Sequence, residues 1–404
     1  MSRPSCPDGP RLCWDACGMK LHGPLTVASG PLTSKLSLLK KAAEACAGAA
    51  SLKLTFITPP FHAEMRSFSV HDHVILSPTE KRLALHEGVE LCRSAKRETA
   101  LAIWANFTGA GADEWFRLSE AFIDAGADGL ELNFCCPNLD TSSSGPGVRH
   151  GAAICTSPEL TAKIVRDVRR RFTQIPVMPK IVNNTHLFRD VAAAAADAGA
   201  PAVHVVGQPV SGAPPVNPDT LKPLLPFAEG VSFGSTNGSV CLCNTLRSVA
   251  EVRSAAPALQ VMASGGITRW EDCVSAYAYG ADAAAVCSAV MWHGWERLKI
   301  ISRGLEDYFR RKGMSGPEAV RDTALKLLTP PSELKLNPAR ARIDENACVG
   351  CGKCAKVGHC EAITLVDRKA RVDETACISC GVCRSLCPAD AILYDDDPRY
   401  GSGK

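Results

Sequence analysis

The chain of 404 residues lacks any apolar run approaching the ~20 residues that span a bilayer. It also lacks an excess of either charge. Its 45 basic and 42 acidic residues leave +3, which makes no case for nucleic acid or a membrane surface as partner. The opening residues, 1–9, are polar and do not form the charged-then-apolar segment of a secretory signal. No G-x-G-x-x-G follows an apolar β-like run, so dinucleotide binding of the Rossmann type is unsupported.

What the chain does have is cysteine, 20 in all. Eight of them close the sequence in two runs: Cys348, Cys351, Cys354, Cys360, then Cys377, Cys380, Cys383, Cys387, the last followed by Pro388. Three thiolates at C-x2-C-x2-C surround one iron–sulfur cube, and the fourth ligand comes from the other run. Cys348, Cys351 and Cys354 are therefore expected to hold one 4Fe–4S cluster with Cys387. Cys377, Cys380 and Cys383 are expected to hold a second with Cys360. Zinc sites use ligand pairs rather than triplets, and disulfide frameworks belong to short secreted chains. The first run is irregular. Five residues precede Cys360, and Glu361 follows it instead of proline. Such clusters, with a dozen further thiols, point to a reducing cytoplasm.

A tail of this kind takes about sixty residues and leaves room for one large α/β barrel. Short apolar runs at 25–29, 51–56, 101–107, 129–134, 177–182, 202–207, 260–264 and 283–287 read as strands. Between them lie alanine-rich helical stretches, such as 35–47, 113–125, 160–172, 188–198 and 270–279. Several end in Gly-Ala, as at Gly126-Ala127, Gly199-Ala200 and Gly280-Ala281, where glycine suits a helix C-cap. Eight alternations predict a (β/α)8 TIM barrel over residues 1–328, with an open doubly wound sheet as the rival. Residues 329–341, rich in proline and basic side chains, read as a linker. Residues 342–404 read as a small α+β ferredoxin-like domain with two clusters.

Barrel enzymes work at the C-terminal ends of their strands, and phosphates commonly bind after the seventh and eighth. There the sequence places Ser264-Gly265-Gly266 and Val286-Cys287-Ser288, with Gly238 able to close the site from the side. Taken alone, Gly-Gly is also an ordinary turn. At the end of the fourth strand, alternation sets Leu132 and Phe134 on one face and Asn133 and Cys135 on the other, with Cys136 at the exit. A thiol of ordinary pKa near ~8.5 is mostly protonated at neutral pH and can donate a proton to carbon; a buried apolar cysteine is the plain alternative. Lys53 and Lys180 end two further strands, and a lone lysine there is as often turned to solvent as inward. Both at matching ends point to a shared anionic ligand. Flavin mononucleotide fits, and it also joins the one-electron tail to two-electron hydride chemistry.

These residues resemble the flavin barrels of the dihydroorotate and dihydropyrimidine dehydrogenase family. The layout is similar to the bacterial NAD-dependent dihydropyrimidine dehydrogenase subunits that carry a C-terminal two-cluster domain. The matching pieces are Ala28-Ser29-Gly30, Lys53, the stretch 133–138, Pro179-Lys180, Gly265-Gly266 and Val286-Cys287-Ser288. The resemblance implies that Cys136 is the general acid/base and that Asn133 meets substrate or flavin. It implies that Lys53 and Lys180 bind flavin, and Asn106 sits where a polar flavin contact is expected. Asn138 belongs to the same motif. The departures concern substrate. The Asn-Thr that reads a pyrimidine is Gly207-Gln208 here, the asparagine after the second strand is missing from a stretch containing His71 and His73, and the serine before the catalytic cysteine is Cys135. Gln208 and His71 are the candidate replacements. The loop 139–151 has the composition of a lid, and Arg149 and His150 on it offer charge to an acidic substrate.

The expectation is thus an oxidoreductase of CH–CH groups. Hydride passes between flavin and a C=C conjugated to a carbonyl, and electrons pass through the tail to or from an NAD(P)H-oxidising flavoprotein or a ferredoxin. The rivals are a pyrimidine enzyme with rebuilt contacts and an electron-relay subunit whose barrel does not catalyse.

Overall fold

The computed structural model describes residues 14–59, 66–70, 74–79, 81–136, 149–208, 212–224, 233–335 and 340–394. The chain forms two compact units, Met1–Leu327 and Leu328–Lys404.

In the first unit eight parallel strands close a ring: β1 (Leu25–Val27), β2 (Ala49–Ser51), β3 (Ala102–Phe107), β4 (Gly129–Phe134), β5 (Val177–Val182), β6 (Ala202–Val206), β7 (Gln260–Ser264) and β8 (Ala283–Val286). Each pairs with the next, and β8 pairs with β1. The crossovers are α1 (Leu36–Glu44), α2 (Leu85–Glu98), α3 (Ala112–Asp124), α4 (Pro158–Arg171), α5 (Phe188–Asp197), α6 (Leu242–Ala255) and α7 (Trp270–Ala278). After β8 come α8 (Ser288–His293) and α9 (Glu296–Lys312). The expected TIM barrel is therefore present, and the doubly wound rival falls. Gly126, Gly199 and Gly280 take φ of 86°, 90° and 115° just past α3, α5 and α7, the left-handed turn that ends a helix most cheaply with glycine.

The second strand departs from expectation. The apolar run predicted a strand at 51–56, but the ring uses Ala49–Ser51. Thr55–Phe56 forms a separate short strand between Phe107 of β3 and Leu83–Ala84. Ser51, Lys53 and Thr55 alternate with apolar residues, and that period-two pattern does not mark where the ring strand stops. Three elements had no sequence signal: the hairpin Arg66–Val70 with Val74–Thr79, the strand Ser235–Asn237 that joins it, and a hairpin Trp14–Ala16 with Met19–Leu21.

Alternation along the strands sorts the barrel into two packings. Ile103, Ala105, Leu130, Leu132, Phe134, Ile181, Val203 and Val261 face the helices. Inside the ring, Trp104, Met178 and Met262 fill the lower end among small alanines, joined by Ala16, Cys17, Met19 and Leu21 of the first hairpin. Gly18 N–H donates to Gln260 Oε1 at the start of β7, 3.2 Å away, which fixes that hairpin at the N-terminal end of the strands. Gly129 lies opposite Trp104, whose ring occupies the space a Cβ would need.

In the second unit, Arg342–Ile343 pairs with Ile392–Leu393 and Ile363–Val366 with Lys369–Val372, around the short helix Val382–Ser385. Its buried core is Ala341, Cys354, Val357, Ala362, Ile363, Ala370, Cys377, Cys383 and Ile392. No described helix is long and apolar enough to cross a membrane. Cys46 is disulfide-bonded, which departs from an all-reduced set of thiols; every other described cysteine is free.

Candidate active site and cysteine centres

At the C-terminal ends of the strands lies a cavity of about 1110 Å³ including its open mouth. Its lining brings together Ala28, Ser29 and Gly30 after β1, Lys53 after β2, Asn133, Cys135 and Cys136 at the end of β4, and Lys180 on β5. From the far side come Gln208, Gly238, Gly265, Gly266, Cys287 and Ser288. The glycine side has backbone that other residues would strain: Gly238, Gly265 and Gly266 have φ of 115°, 104° and 80°. A Cβ on Gly30 would meet Cys287 Sγ at 2.7 Å, and one on Gly266 would strike the backbone of Leu242. Left-handed backbone of this kind on a cavity wall suits the cradling of phosphate.

The cationic wall is Lys53, Lys180 and Arg82, exposed by only 2 %, 5 % and 7 %. No carboxylate is among the described lining residues. Arg82 carried no signal in the sequence, yet its Nη2 donates to Cys136 Sγ at 2.9 Å. Cys135 is buried, and burial above all pushes its thiol up to about 12, so it stays protonated. Of the two neighbouring thiols, Cys136 is the one partly open to the cavity.

Beneath this floor is a polar layer that sequence reasoning missed. Asn133 Oδ1 accepts the backbone N–H groups of Cys135 and Cys136 at 3.2 and 3.0 Å. Asn133 Nδ2 donates to Asn106 Oδ1 at 3.1 Å, and Asn106 Nδ2 donates to Glu131 Oε2 at 2.5 Å. Glu131 Oε1 bonds His204 Nδ1, and His204 Nε2 lies 2.7 Å from Ser264 Oγ. Glu131 and His204 are wholly buried. Burial opposes the charge on Glu131, but Lys180, His204 and Asn106 outweigh it and hold the carboxyl at about 2. Burial, then Lys180, pushes His204 below its usual value despite Glu131. The consistent state is a carboxylate with Lys180 as counter-ion and a neutral imidazole that donates from Nδ1. Ser264 then donates its hydroxyl proton to Nε2. The only warnings were a histidine inside the apolar run of β6 and a glutamate in interior register with Asn133.

Asn106 therefore sits differently from expectation. It does not line the cavity but lies one layer down, bonded to Glu131. Gln208 does reach the cavity, its Nε2 3.9 Å from Cys135 Sγ. Gly207 gives only backbone: its carbonyl accepts from Asn244 Nδ2 at 2.8 Å, and Thr245 fills the place of a side chain. His150 is buried, its ring 6.3 Å from that of Phe56, rather than offered to substrate. His71, Asn138 and most of the expected lid fall outside the described residues.

In the tail, Cys348, Cys351, Cys354 and Cys387 line one cavity of about 310 Å³. These are the three expected ligands of the first run and the expected crossed fourth. Backbone N–H groups of Ala370 and Gly350 hold the Cys348 thiol below its usual value, as donors to a cluster-bound sulfur would. Among the described residues no three His, Cys, Asp or Glu side chains converge on a single ion. A cube spreads its thiolates over four irons, so four cysteines around an open cavity fit a cluster better than a lone metal. On the other side Cys377 and Cys383 are buried, Cys360 is half-buried, and His359 Nε2 lies 3.2 Å from Cys380 Sγ.

Comparison with known proteins agrees with this geometry. Residues 11–309 match the dihydroorotate dehydrogenase family, and residues 370–393 match the 4Fe–4S binding domain. The NAD-dependent dihydropyrimidine dehydrogenase subunit PreA of Escherichia coli strain K12 is 26 % identical over 355 residues, covering 84 % of this chain and 83 % of that one. The catalytic subunit of dihydroorotate dehydrogenase B (NAD(+)) from Methanothermobacter thermautotrophicus is 27 % identical over 303 residues, covering 74 % of this chain and 93 % of that one. A ligand-free dihydroorotate dehydrogenase from Eimeria tenella shares the fold. Its TM-score is 0.62 at 17 % identity, over 80 % of this chain and 94 % of that one.

Proposed function

This chain belongs to the dihydroorotate dehydrogenase family, and from that premise we propose how its residues divide the work. It is a flavin oxidoreductase of CH–CH groups with an iron–sulfur domain. In the proposed division residues 1–328 catalyse, 329–341 link, and 342–404 carry electrons on two 4Fe–4S clusters. FMN bound in the cavity would exchange a hydride with substrate and single electrons with the clusters.

The chain's own residues set the rest. The backbone at Gly238, Gly265, Gly266 and Ser288 holds the phosphate. Lys53 and Lys180 stabilise negative charge on the ring. Cys136 moves the proton at the carbon next to the hydride acceptor, with Arg82 fixing its sulfur. Gln208 and Arg82 face the substrate where pyrimidine-reading amides are missing, so the ligand is a conjugated carbonyl compound with a polar or acidic edge. Electrons come from or go to an NAD(P)H-oxidising flavoprotein or a ferredoxin, in a reducing cytoplasm. The observation that carries this reading is Cys136 in the same cavity as two buried lysines and the Gly265-Gly266 turn.

The test is anaerobic. The full chain is loaded with FMN and iron–sulfur clusters; the reduced form is offered uracil and thymine, and the oxidised form is offered dihydropyrimidines and dihydroorotate. Reoxidation or reduction of flavin by a member of this panel supports the reading. Failure to retain FMN or about eight irons ends it.

A further inference from the structure

The polar layer beneath the cavity has a property that the proposed chemistry leaves unused: its hydrogen bonds run in one direction. An amide side chain has two orientations of nearly equal shape, with oxygen and NH2 exchanged. Flipping Asn133 would turn its NH2 toward two backbone N–H donors and lose both bonds. Flipping Asn106 would turn its oxygen toward a carboxylate, which accepts only. Glu131 therefore sets the orientation of Asn106, Asn106 sets that of Asn133, and Asn133 holds the N–H groups of Cys135 and Cys136. Glu131 in turn has a competing partner, since Lys180 attracts it strongly from β5. The N–H of His204, on β6, bonds the carboxylate's second oxygen and keeps it in line with Asn106. A barrel interior is ordinarily filled by branched apolar side chains, and burying an ion there costs several kcal/mol unless it is well paired. Packing alone does not account for this pair.

We propose that His204 and Glu131 are positioning residues for Cys136. Through Asn106 and Asn133 they fix the backbone turn from which the sulfur enters the cavity. The inference rests on Cys136 acting on substrate, but its test is separable from that reading. The full-length chain loaded with FMN and clusters is compared with three variants. His204→Leu removes the N–H, His204→Asn keeps one at the position of Nδ1, and Asn106→Leu cuts the chain one bond nearer Asn133.

Two readouts need no turnover: amide exchange at Cys135 and Cys136, and alkylation of Cys136 by iodoacetamide with the exposed Cys243 as internal control. His204→Leu and Asn106→Leu should speed exchange at both amides by about tenfold or more while Leu132 in the same strand stays protected. They should change alkylation of Cys136 by about fivefold and lower kcat by about 10- to 100-fold with KM nearly constant. His204→Asn should stay near wild type in every readout. If His204→Leu fails to fold, Asn106→Leu decides. The proposal is overturned if the folded variants leave exchange and alkylation at Cys136 unchanged, if Leu132 exchanges as fast as Cys136, or if His204→Asn behaves like His204→Leu. A wild type that is positioned as described yet turns over no member of the panel sinks the catalytic reading alone.

Discussion

Beneath the barrel cavity the functional side chains are held by other protein atoms. Cys136 hangs from Asn133, Asn133 from Asn106, and Asn106 from Glu131, above a floor packed with Trp104, Met178 and Met262. In the tail the proposed ligands and the core coincide: Cys354, Cys377 and Cys383 are three of the nine buried side chains that form it. The first arrangement is built from hydrogen bonds between protein atoms alone. The second gathers thiols in a small domain whose core the proposed clusters would complete. The proposed flavin chemistry thus rests on a preorganised scaffold, and the proposed electron transfer on a domain completed by metal.

Removing the iron should break this comparison open with the largest effect. Chelation under anaerobic conditions should unfold the tail, read as loss of amide protection over 340–394. The barrel should keep its protection and its urea midpoint, because metal-binding free energy is folding free energy only where the metal supplies the core. Equal loss in both units would remove the distinction. Next in size is Lys180→Met, which strips the buried Glu131 of its strongest cationic partner. Uncompensated buried charge costs about 3–5 kcal/mol, so the denaturant midpoint should fall accordingly. Gly266→Val acts on the cradle itself. At φ of 80° a branched side chain is strained and would strike Leu242, and FMN affinity should fall by about tenfold or more while cluster content is unchanged.

The smallest effect is on acid stability. The folded values of both His204 and Glu131 lie below their unfolded ones. The unfolded chain therefore binds more protons on acidification, and stability must fall as pH drops. The loss should begin below the ordinary imidazole value near ~6.5 and deepen below that of a carboxylate, as Glu131 is held at about 2. Urea midpoints at falling pH should show a first decline in wild type that is smaller in His204→Asn, where only the part due to the buried His150 remains.

Most of this was legible where chemistry lies on a strand end with strict alternation. Asn133 and Cys135 face the cavity as their period-two pattern requires, with Cys136 beside them, and Lys53, Lys180 and the Gly265-Gly266 turn join them there. Spacing also grouped Cys348, Cys351, Cys354 and Cys387, which line one cavity of the tail. What escaped was set by three-dimensional pairing. Asn106 looked like a cavity residue because pattern gives the face of a strand but not the layer. Glu131 and His204 lie on different strands about seventy residues apart in sequence, and no local signal says that one answers the other. Arg82 follows a segment without periodicity, and only the fold brings it to Cys136. The second strand slipped because Ser51, Lys53 and Thr55 alternate with apolar residues through Phe56, so the pattern continues past the point where the ring strand ends.

The claim on which the rest turns is that Cys136 handles the substrate proton in a flavin cavity that forms without it. Stopped-flow absorbance of the FMN-loaded full chain, wild type against Cys136→Ser, tests this with whichever panel member reacts. The account predicts equal FMN content and unchanged cluster spectra in both, with flavin turnover by substrate slowed about 10²- to 10⁴-fold in Cys136→Ser. Equal rates in the two proteins, at equal flavin content, would contradict it.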